Sequence, residues 1–217
     1  MSLIKPPPHL KISQWADKFR LLSTESSSEA GKFETSRAIF QKEIMDSIND
    51  PTITEVVVMS CSQIGKTEIL LNAIGYYIHY APAPILIVHP TLEMARAWSQ
   101  DRLAPMIRDT EILKQKVAEV KSKDSGNTVL HKIFDGGHIT ACGANSPASL
   151  ASRPIKIVLC DEIDRYPPTA GSEGDPVMLA KRRSATFWDS KLVLTSTPTV
   201  KGACRCKCDS HHEQTPF

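Results

Sequence analysis

The sequence predicts an α/β fold with a mainly parallel central β-sheet flanked by helices. Three short apolar runs, at residues 56–58, 85–88 and 157–159, are rich in Val, Ile and Leu, and helix-like segments lie between them. Runs of this kind are typical of strands covered on both faces, and strands that alternate with helices favour a parallel sheet. The loop after the first run adds a phosphate-binding motif at the end of a strand.

Two helices are predicted before the first core strand. Residues 12–22 are helix-like and residues 23–31 form a linker rich in Ser and Glu, so we expect residues 1–32 to be an arm that is mobile or needs a partner. A longer helix is predicted over residues 36–49. Its apolar stripe would consist of Ile39, Phe40, Ile44, Met45 and Ile48.

From residue 55 onward the predicted strands and helices alternate. The predicted strands cover residues 55–60, 85–88, 129–134, 138–142, 155–160 and 191–194. The predicted helices cover residues 68–79, 92–107, 111–120 and 177–187. Thr91 is the expected N-cap of the second of these helices, because a hydroxyl there can accept from a free backbone N–H. The sequence Asp135-Gly136-Gly137 predicts a hairpin between the third and fourth strands.

Composition and charge bound the classes of function. The chain has 217 residues and a hydrophobic fraction of 41%, which suit one large globular domain or one domain with a tail. Its formal net charge of +2 does not by itself indicate nucleic-acid binding. No apolar run approaches the ~18 residues of a transmembrane helix, and the N-terminus lacks the apolar core of a signal peptide. We therefore expect a cytoplasmic protein without a membrane span. The six cysteines do not read as a secreted disulfide framework.

The segment at residues 60–67 predicts a phosphate-binding P-loop, because it lies between a predicted strand and a predicted helix. Backbone N–H groups of such a loop, and the positive N-terminus of the helix, bind phosphate oxygens. Lys66 would reach the β- and γ-phosphates, and the Thr67 hydroxyl would bind Mg²⁺. The predicted nucleotide-binding residues are Ser60, Cys61, Ser62, Gln63, Ile64, Gly65, Lys66 and Thr67. Ser60 replaces the usual first glycine; the alternative is an ordinary turn with a solvated lysine.

An acidic pair follows the predicted strand at residues 155–160. A carboxylate at the tip of a strand beside the P-loop strand can bind Mg²⁺ through water, which suits Asp161. The adjacent Glu162 can polarise the water that attacks the γ-phosphate. The alternative is an acidic loop exposed to solvent.

A cluster of hydroxyls, Thr195-Ser196-Thr197, ends the last predicted strand. The C-terminal ends of parallel strands meet at one edge of the sheet, where ligands bind. Hydroxyls at this edge can sense the γ-phosphate and relay its hydrolysis to a moving part. The alternative is a Ser/Thr turn closed by Pro198.

Longer motifs around these sites resemble the ATPase domain of tailed-phage terminase large subunits of the lambda A-type group. They occur in order at residues 60–68, 84–95, 124–128, 143–148, 152–154, 161–167 and 196–202. The resemblance covers residues 31–202 and implies a RecA/ASCE-like P-loop fold, ATP and Mg²⁺ as cofactors, and a motor that moves double-stranded DNA. It also implies that Asp161 is the Walker B acid, that Glu162 is the catalytic base, and that Thr195, Ser196 and Thr197 belong to the coupling motif.

Two further site residues are suggested by the same resemblance. Gln41 is similar to the glutamine that reads adenine in helicase-like and terminase ATPases; the alternative is a solvated helix glutamine. Arg153 is the expected arginine finger, acting on its own chain or on a neighbour. The alternative is a surface arginine that contacts phosphate or solvent.

The resemblance further implies partners: double-stranded DNA, the portal protein of a procapsid, a small terminase subunit and a homo-oligomeric ring. We divide the chain into an arm at residues 1–32, an ATPase domain at residues 33–202 and a divergent Cys/His-rich tail at residues 203–217, without the family's C-terminal nuclease domain. The tail's Cys-x-Cys-x-Cys spacing does not suit a zinc knuckle, so no zinc is expected. It reads as the end of a frameshifted or truncated prophage gene. The alternatives are a helicase-like DNA translocase or an inactive remnant that binds nucleotide without turnover.

Overall fold

The computed structural model describes residues 10–25, 30–117, 126–147, 150 and 153–198. Its eight strands are β1 (Leu21–Leu22), β2 (Gly31–Lys32), β3 (Glu55–Met59), β4 (Ile85–His89), β5 (His131–Phe134), β6 (Gly137–Gly143), β7 (Ile157–Cys160) and β8 (Lys191–Ser196). The strands β3 to β8 form one sheet with the order β3-β8-β7-β4-β6-β5, in which only the β5–β6 pair is antiparallel. The α/β fold with a mainly parallel sheet is confirmed.

Seven α-helices are described, and six of them precede the fifth strand in the chain. They are α1 (Ile12–Phe19), α2 (Phe40–Ile48), α3 (Lys66–His79), α4 (Leu92–Trp98), α5 (Ala104–Asp109), α6 (Glu111–Lys116) and α7 (Pro176–Arg182). Thr91 caps α4 as expected, because its side chain accepts from the backbone N–H of Met94. The predicted single helix over residues 92–107 is broken by a π-helical turn at Ser99–Leu103. Among the described residues, no helix is long and apolar enough to cross a membrane.

The two faces of the sheet carry separate hydrophobic clusters. Alternate residues of β4 divide between them: Ile85 and Ile87 join the cluster with α1 to α6, whereas Leu86 and Val88 join the cluster with α7. Every residue of β4 is buried, as is typical of a strand with helices on both faces. The runs predicted at residues 85–88 and 157–159 therefore lie in interior strands of the sheet, whereas the run at residues 56–58 lies in the edge strand β3.

The N-terminal helix α1 is part of the core. Ile12 and Trp15 are fully buried, and the Trp15 indole N–H donates to Nδ1 of His79 in α3 over 3.1 Å. The expectation of a mobile or partner-dependent arm is thus wrong for residues 10–25, because large apolar side chains of this segment cover the P-loop helix. The described part of the chain does not include residues 1–9, 26–29 or 199–217, and the predicted tail at residues 203–217 lies in the last of these ranges.

The predicted apolar stripe of the helix over residues 36–49 is only partly correct. Met45 and Ile48 are fully buried, but Ile39 is 74% exposed and Phe40 is 51% exposed. The reason is that residues 35–38 form a separate 3₁₀ turn and α2 begins at Phe40, so the stripe starts outside the contact with the core. Gln41, which sequence periodicity did not place in the core, is buried instead.

Candidate active site

The C-terminal ends of three neighbouring strands bring polar side chains into one row. Cys160 of β7 is in register with Leu194 of β8 and with Val88 of β4. These three residues pack on the α7 side of the sheet, so the residues that follow them turn toward the α3 side. The row consists of Thr195, Asp161 and His89. The edge of the sheet at which it lies is the edge where α/β proteins bind ligands.

The P-loop connects β3 to α3 and wraps around the ammonium group of its own lysine. Lys66 is 6% exposed, and its Nζ donates to the carbonyl oxygen of Cys61 and to Oγ1 of Thr197, each over 2.8 Å. The loop is also fixed to β8, because the backbone N–H of Ser60 donates to the carbonyl oxygen of Ser196 over 3.2 Å. The P-loop lysine and the hydroxyl cluster at the end of β8 therefore touch directly.

The side chain of Gln41 is hydrogen-bonded to the backbone of the P-loop. Its Nε2 donates to the carbonyl oxygen of Ile64 over 3.0 Å, and the side chain is buried. Gly65 adopts φ +84°, which favours glycine, and a Cβ at this position would lie 2.3 Å from Nε2 of Gln41, so a larger residue would displace the Gln41 amide. The burial excludes the solvated-glutamine alternative, and adenine recognition by Gln41 stays a prediction.

Asp161 is held in place by the strand next to its own. The Thr195 hydroxyl donates to Oδ1 of Asp161 over 2.6 Å, and both residues are buried. Burial raises the pKa of the Asp161 carboxyl, while the Thr195 hydrogen bond and the positive charge of Lys66 oppose that rise. β7 was expected to lie next to the P-loop strand β3. This expectation is wrong, because β8 lies between the two strands and pairs with both. The hydroxyl cluster thus lies between the phosphate loop and the acidic strand.

Glu162 leaves the sheet in an unusual backbone conformation. Its φ of +54° and ψ of +47° fall in the left-handed region, which non-glycine residues seldom occupy and which recurs at functional sites. Its Oε2 lies 3.5 Å from Nε of Arg165. The next turn is tied to β8, because the backbone N–H of Asp164 donates to Oγ of Ser196 over 3.2 Å. All three residues of the hydroxyl cluster therefore contact either the P-loop or the acidic turn.

Arg153 does not join this site within its own chain. Its Nη1 lies 3.4 Å from Nε2 of His131 in β5, at the edge of the sheet opposite β3. In the strand order β5 lies three strands from β7 and five from β3, at about 4.8 Å per strand. The role of Arg153 as an arginine finger stays a prediction.

The oxygen groups at this edge fit a magnesium ion. The Thr67 hydroxyl lies in the first turn of α3, and Asp161 contributes a carboxylate at the end of β7. Mg²⁺ prefers such oxygen ligands and usually keeps several waters beside substrate phosphates. In the described part of the chain, no group of three or more His, Cys, Asp or Glu side chains is placed to hold a metal.

Sequence reasoning missed two residues of the site. His89 ends β4 beside Asp161, and Arg165 contacts Glu162 three residues later in the chain. A signal for His89 was present, because a polar residue at the C-terminal end of a buried parallel strand lies where ligands bind. No comparable signal marks Arg165, since its contact depends on the left-handed turn at Glu162.

Comparison with known proteins identifies the family of this chain. The profile of the family described as "Phage terminase large subunit gpA, ATPase domain" matches residues 27–213, which takes in most of the segment expected to be a divergent tail. The terminase large subunit of Enterobacteria phage P21 is 30% identical over 207 residues, which are 94% of this chain and 32% of that protein. The chain thus spans about a third of the length of this relative.

Solved structures agree on the fold. The crystal structure of the HK97 bacteriophage large terminase matches with a TM-score of 0.66 and 13% identity over 86% of this chain and 37% of that chain. A large terminase from a thermophilic bacteriophage, in complex with ADP, matches with a TM-score of 0.50 and 13% identity, over 72% of this chain and 37% of that chain. At these identities the structures support the fold alone, whereas the family profile covers most of the sequence. The chain therefore belongs to the gpA-type family of phage terminase large-subunit ATPase domains.

Proposed function

We propose that this chain is an ATP-hydrolysing motor domain that drives double-stranded DNA into a phage procapsid, with ATP and Mg²⁺ as cofactors. The observation that carries this proposal is the pair of contacts made by the β8 hydroxyls. Thr197 accepts from Lys66 of the P-loop, and Thr195 donates to Asp161 of the acidic strand. The C-terminal end of β8, with the residue after it, thus touches both the phosphate-binding and the acidic element, so a change at either element can reach this strand.

Each residue has a chemical task in this proposal. The P-loop N–H groups and Lys66 bind the phosphates, and Gln41 braces the loop. Thr67 and Asp161 would hold Mg²⁺, which neutralises charge that develops on the phosphates. Glu162 orients the attacking water and accepts its proton at a carboxylate oxygen. When the γ-phosphate leaves, the contact between Lys66 and Thr197 reports the change to β8.

Two variants test the hydrolysis site. Lys66→Ala is expected to abolish binding of a fluorescent ATP analogue, because the ammonium group that meets the phosphates is lost. Glu162→Gln is expected to keep that binding and to lower ATP turnover by at least about 100-fold, since the amide cannot accept the proton. Wild-type turnover in Glu162→Gln would reject the assignment of the base. Nucleotide binding without any turnover in the wild-type chain would instead favour the inactive remnant.

We propose further that the active form is a ring in which Arg153 serves the site of a neighbouring chain. Its exposed position at the far edge of the sheet supports action on another chain rather than on its own. Lys66→Ala and Arg153→Ala chains should each be inactive alone. A mixture of them should regain part of the ATPase activity, because the first supplies the arginine and the second supplies the nucleotide site. A mixture without activity would contradict this role.

The remaining partners follow from the family and are proposals for this chain. We propose that it acts in the host cytoplasm with a small terminase subunit and the portal protein of the procapsid. The family match is to the ATPase domain and occupies nearly the whole chain, so we propose that this chain does not itself cut DNA. Incubation with plasmid DNA and Mg²⁺ or Mn²⁺ tests that point. Duplex unwinding in the absence of procapsids would favour a helicase-like translocase instead.

A further inference from the structure

His89 is a buried histidine to which the proposed hydrolysis mechanism assigns no task. It is the last residue of β4 and is 3% exposed. One side of its ring faces the acidic strand, where Nδ1 lies 3.9 Å from Oδ2 of Asp161. The other side packs on the ring of Trp98 at the end of α4, with 5.0 Å between the ring centroids. The imidazole is therefore held between a helix and the carboxylate of the predicted Mg²⁺ site.

The position of the proton on the His89 ring decides what this contact can be. A neutral imidazole has one N–H, on either Nδ1 or Nε2. Only a proton on Nδ1 points a donor at the carboxylate, since a proton on Nε2 would turn the Nδ1 lone pair toward Oδ2.

The surroundings of the second nitrogen favour the same tautomer. Nε2 of His89 is buried and has no hydrogen-bond partner among the described residues. A proton there would leave an N–H group unsatisfied as well as placing two acceptors face to face, and each of these costs free energy. With the proton on Nδ1, only a lone pair of Nε2 stays without a partner.

We propose that His89 is a positioning residue for Asp161: its Nδ1–H holds Oδ2 while the Thr195 hydroxyl holds Oδ1. The inference rests on the proposed function, in which Asp161 binds Mg²⁺. The row across β8, β7 and β4 explains how both partners reach one carboxylate, because they stand on its two neighbouring strands. A shift of about 1 Å in either side chain brings the 3.9 Å contact to hydrogen-bond distance.

Two hydrogen-bond donors on the Asp161 carboxylate would fix its orientation toward Mg²⁺. Mg²⁺ demands near-ideal octahedral geometry, so a carboxylate that binds it directly or through water must keep one orientation. Partners behind a metal-binding group fix that orientation, and their loss typically lowers metal affinity or activity by about 10–100-fold. Thr195 alone fixes one oxygen and leaves the carboxylate free to tilt about it. The donor from β4 would remove this freedom.

The kinetic test compares His89→Leu with His89→Gln in the full chain. Leucine fills the site without a donor, whereas glutamine keeps an N–H that can reach Asp161. We expect His89→Leu to lower kcat by about 10–100-fold and to raise the Mg²⁺ concentration for half-maximal activity, with KM for ATP at saturating Mg²⁺ within about twofold of wild type. His89→Gln should stay within about threefold of wild type in all three values.

The matched control is His138→Leu, which replaces a partly buried histidine of β6 and should change none of these values. Wild-type Mg²⁺ dependence in His89→Leu would overturn the proposal. Equal loss in the leucine and glutamine variants, with unchanged melting temperatures, would also overturn it, because the donor would then be irrelevant.

A second measurement does not depend on activity. Ring ¹⁵N spectra of histidine-labelled wild-type protein at pH 7 report which nitrogen carries the proton, and His89→Gln assigns the signal. A proton on Nδ1 supports the proposal and a proton on Nε2 overturns it. A wild-type chain that binds no nucleotide would contradict the proposed function, whereas the tautomer result would still decide the contact between His89 and Asp161.

Discussion

Hydrogen bonds fix the side chains of Lys66 and Asp161 in this site, and the bond from Thr195 to Asp161 can be removed with little change in the shape of residue 195. Thr195→Val deletes the hydroxyl that donates over 2.6 Å to Oδ1 in a fully buried position. A buried carboxylate that loses a donor costs about 1–3 kcal/mol, and its pKa should rise further. We expect kcat for ATP hydrolysis to fall by about 10–100-fold. The Mg²⁺ concentration for half-maximal nucleotide binding should rise, because the Mg²⁺ site is weakened.

Thr140→Val is the control for this prediction. Thr140 lies on β6, and its hydroxyl is also hydrogen-bonded, to Nδ1 of His131 over 2.9 Å, but it is distant from Asp161 in the strand order. This variant should lose some stability and keep its ATPase rate. Equal loss of turnover in both variants would mean that the effect of Thr195→Val is general destabilisation and not the loss of the bond to Asp161.

Site residues that belong to a local sequence motif could be predicted from the sequence. The segment at residues 60–67 and the pair Asp161-Glu162 could be assigned because strand, loop and residue type occur together in the sequence. The contact of Gln41 with the Ile64 carbonyl and the contact of His89 with Asp161 could not, since both depend on which strands and helices become neighbours. The left-handed turn at Glu162 had no sequence signal, because it is not glycine.

At the scale of elements, the packing of α1 on the P-loop helix α3 depends on one glycine. A Cβ at Gly75 would lie 2.2 Å from Cη2 of the buried Trp15. Helix propensity alone favours Gly75→Ala by about 1 kcal/mol, whereas overpacking costs typically about 1–3 kcal/mol. We expect a net loss of stability in urea denaturation. The double variant Trp15→Phe with Gly75→Ala should recover part of it, and additive losses in the double-mutant cycle would contradict the clash.

Elements with strong local patterns were predicted well, and elements defined by tertiary contacts were not. The strand at residues 85–88 and the helix that follows the P-loop match the structure within one or two residues. The N-terminal helix was assigned to a mobile arm because it is short and lies between a proline-rich start and a linker rich in Ser and Glu. It is part of the core because its Ile12, Trp15 and Ala16 side chains are buried, with Trp15 packed against Gly75.

For the whole molecule, sequence order does not reveal strand order. The chain visits β3, β4, β5, β6, β7 and β8 in turn, yet β8 inserts between the first and the fifth of these. β8 is parallel to β3 on one side and to β7 on the other. Parallel neighbours need a connection that crosses a face of the sheet, so the length of a connecting segment says little about which strands become neighbours. This insertion is what puts the hydroxyl cluster, and not the acidic pair, beside the P-loop strand.

The stability of the whole fold should fall in mild acid, and the β5–β6 hairpin accounts for part of this loss. The rings of His131 and His138 lie 5.4 Å apart, and Arg153 lies 3.4 Å from His131. Burial, followed by the charges of these neighbours, lowers the pKa of both imidazoles below the ordinary value. The unfolded chain therefore takes up protons near pH 6.5 that the folded chain resists, so stability is present above that pH and is lost as the pH falls.

His138→Gln removes one of these groups and should flatten the pH dependence. Between about pH 7.5 and about pH 5.5 we expect the melting temperature of the variant to fall less than that of wild type, because the unfolded variant gains one proton fewer. The difference should persist at high salt, since burial is the largest cause of the lowered pKa and is not screened by ions. Equal losses in the two proteins would mean that His138 titrates alike in the folded and unfolded states, and that other groups set the acid limit of the fold.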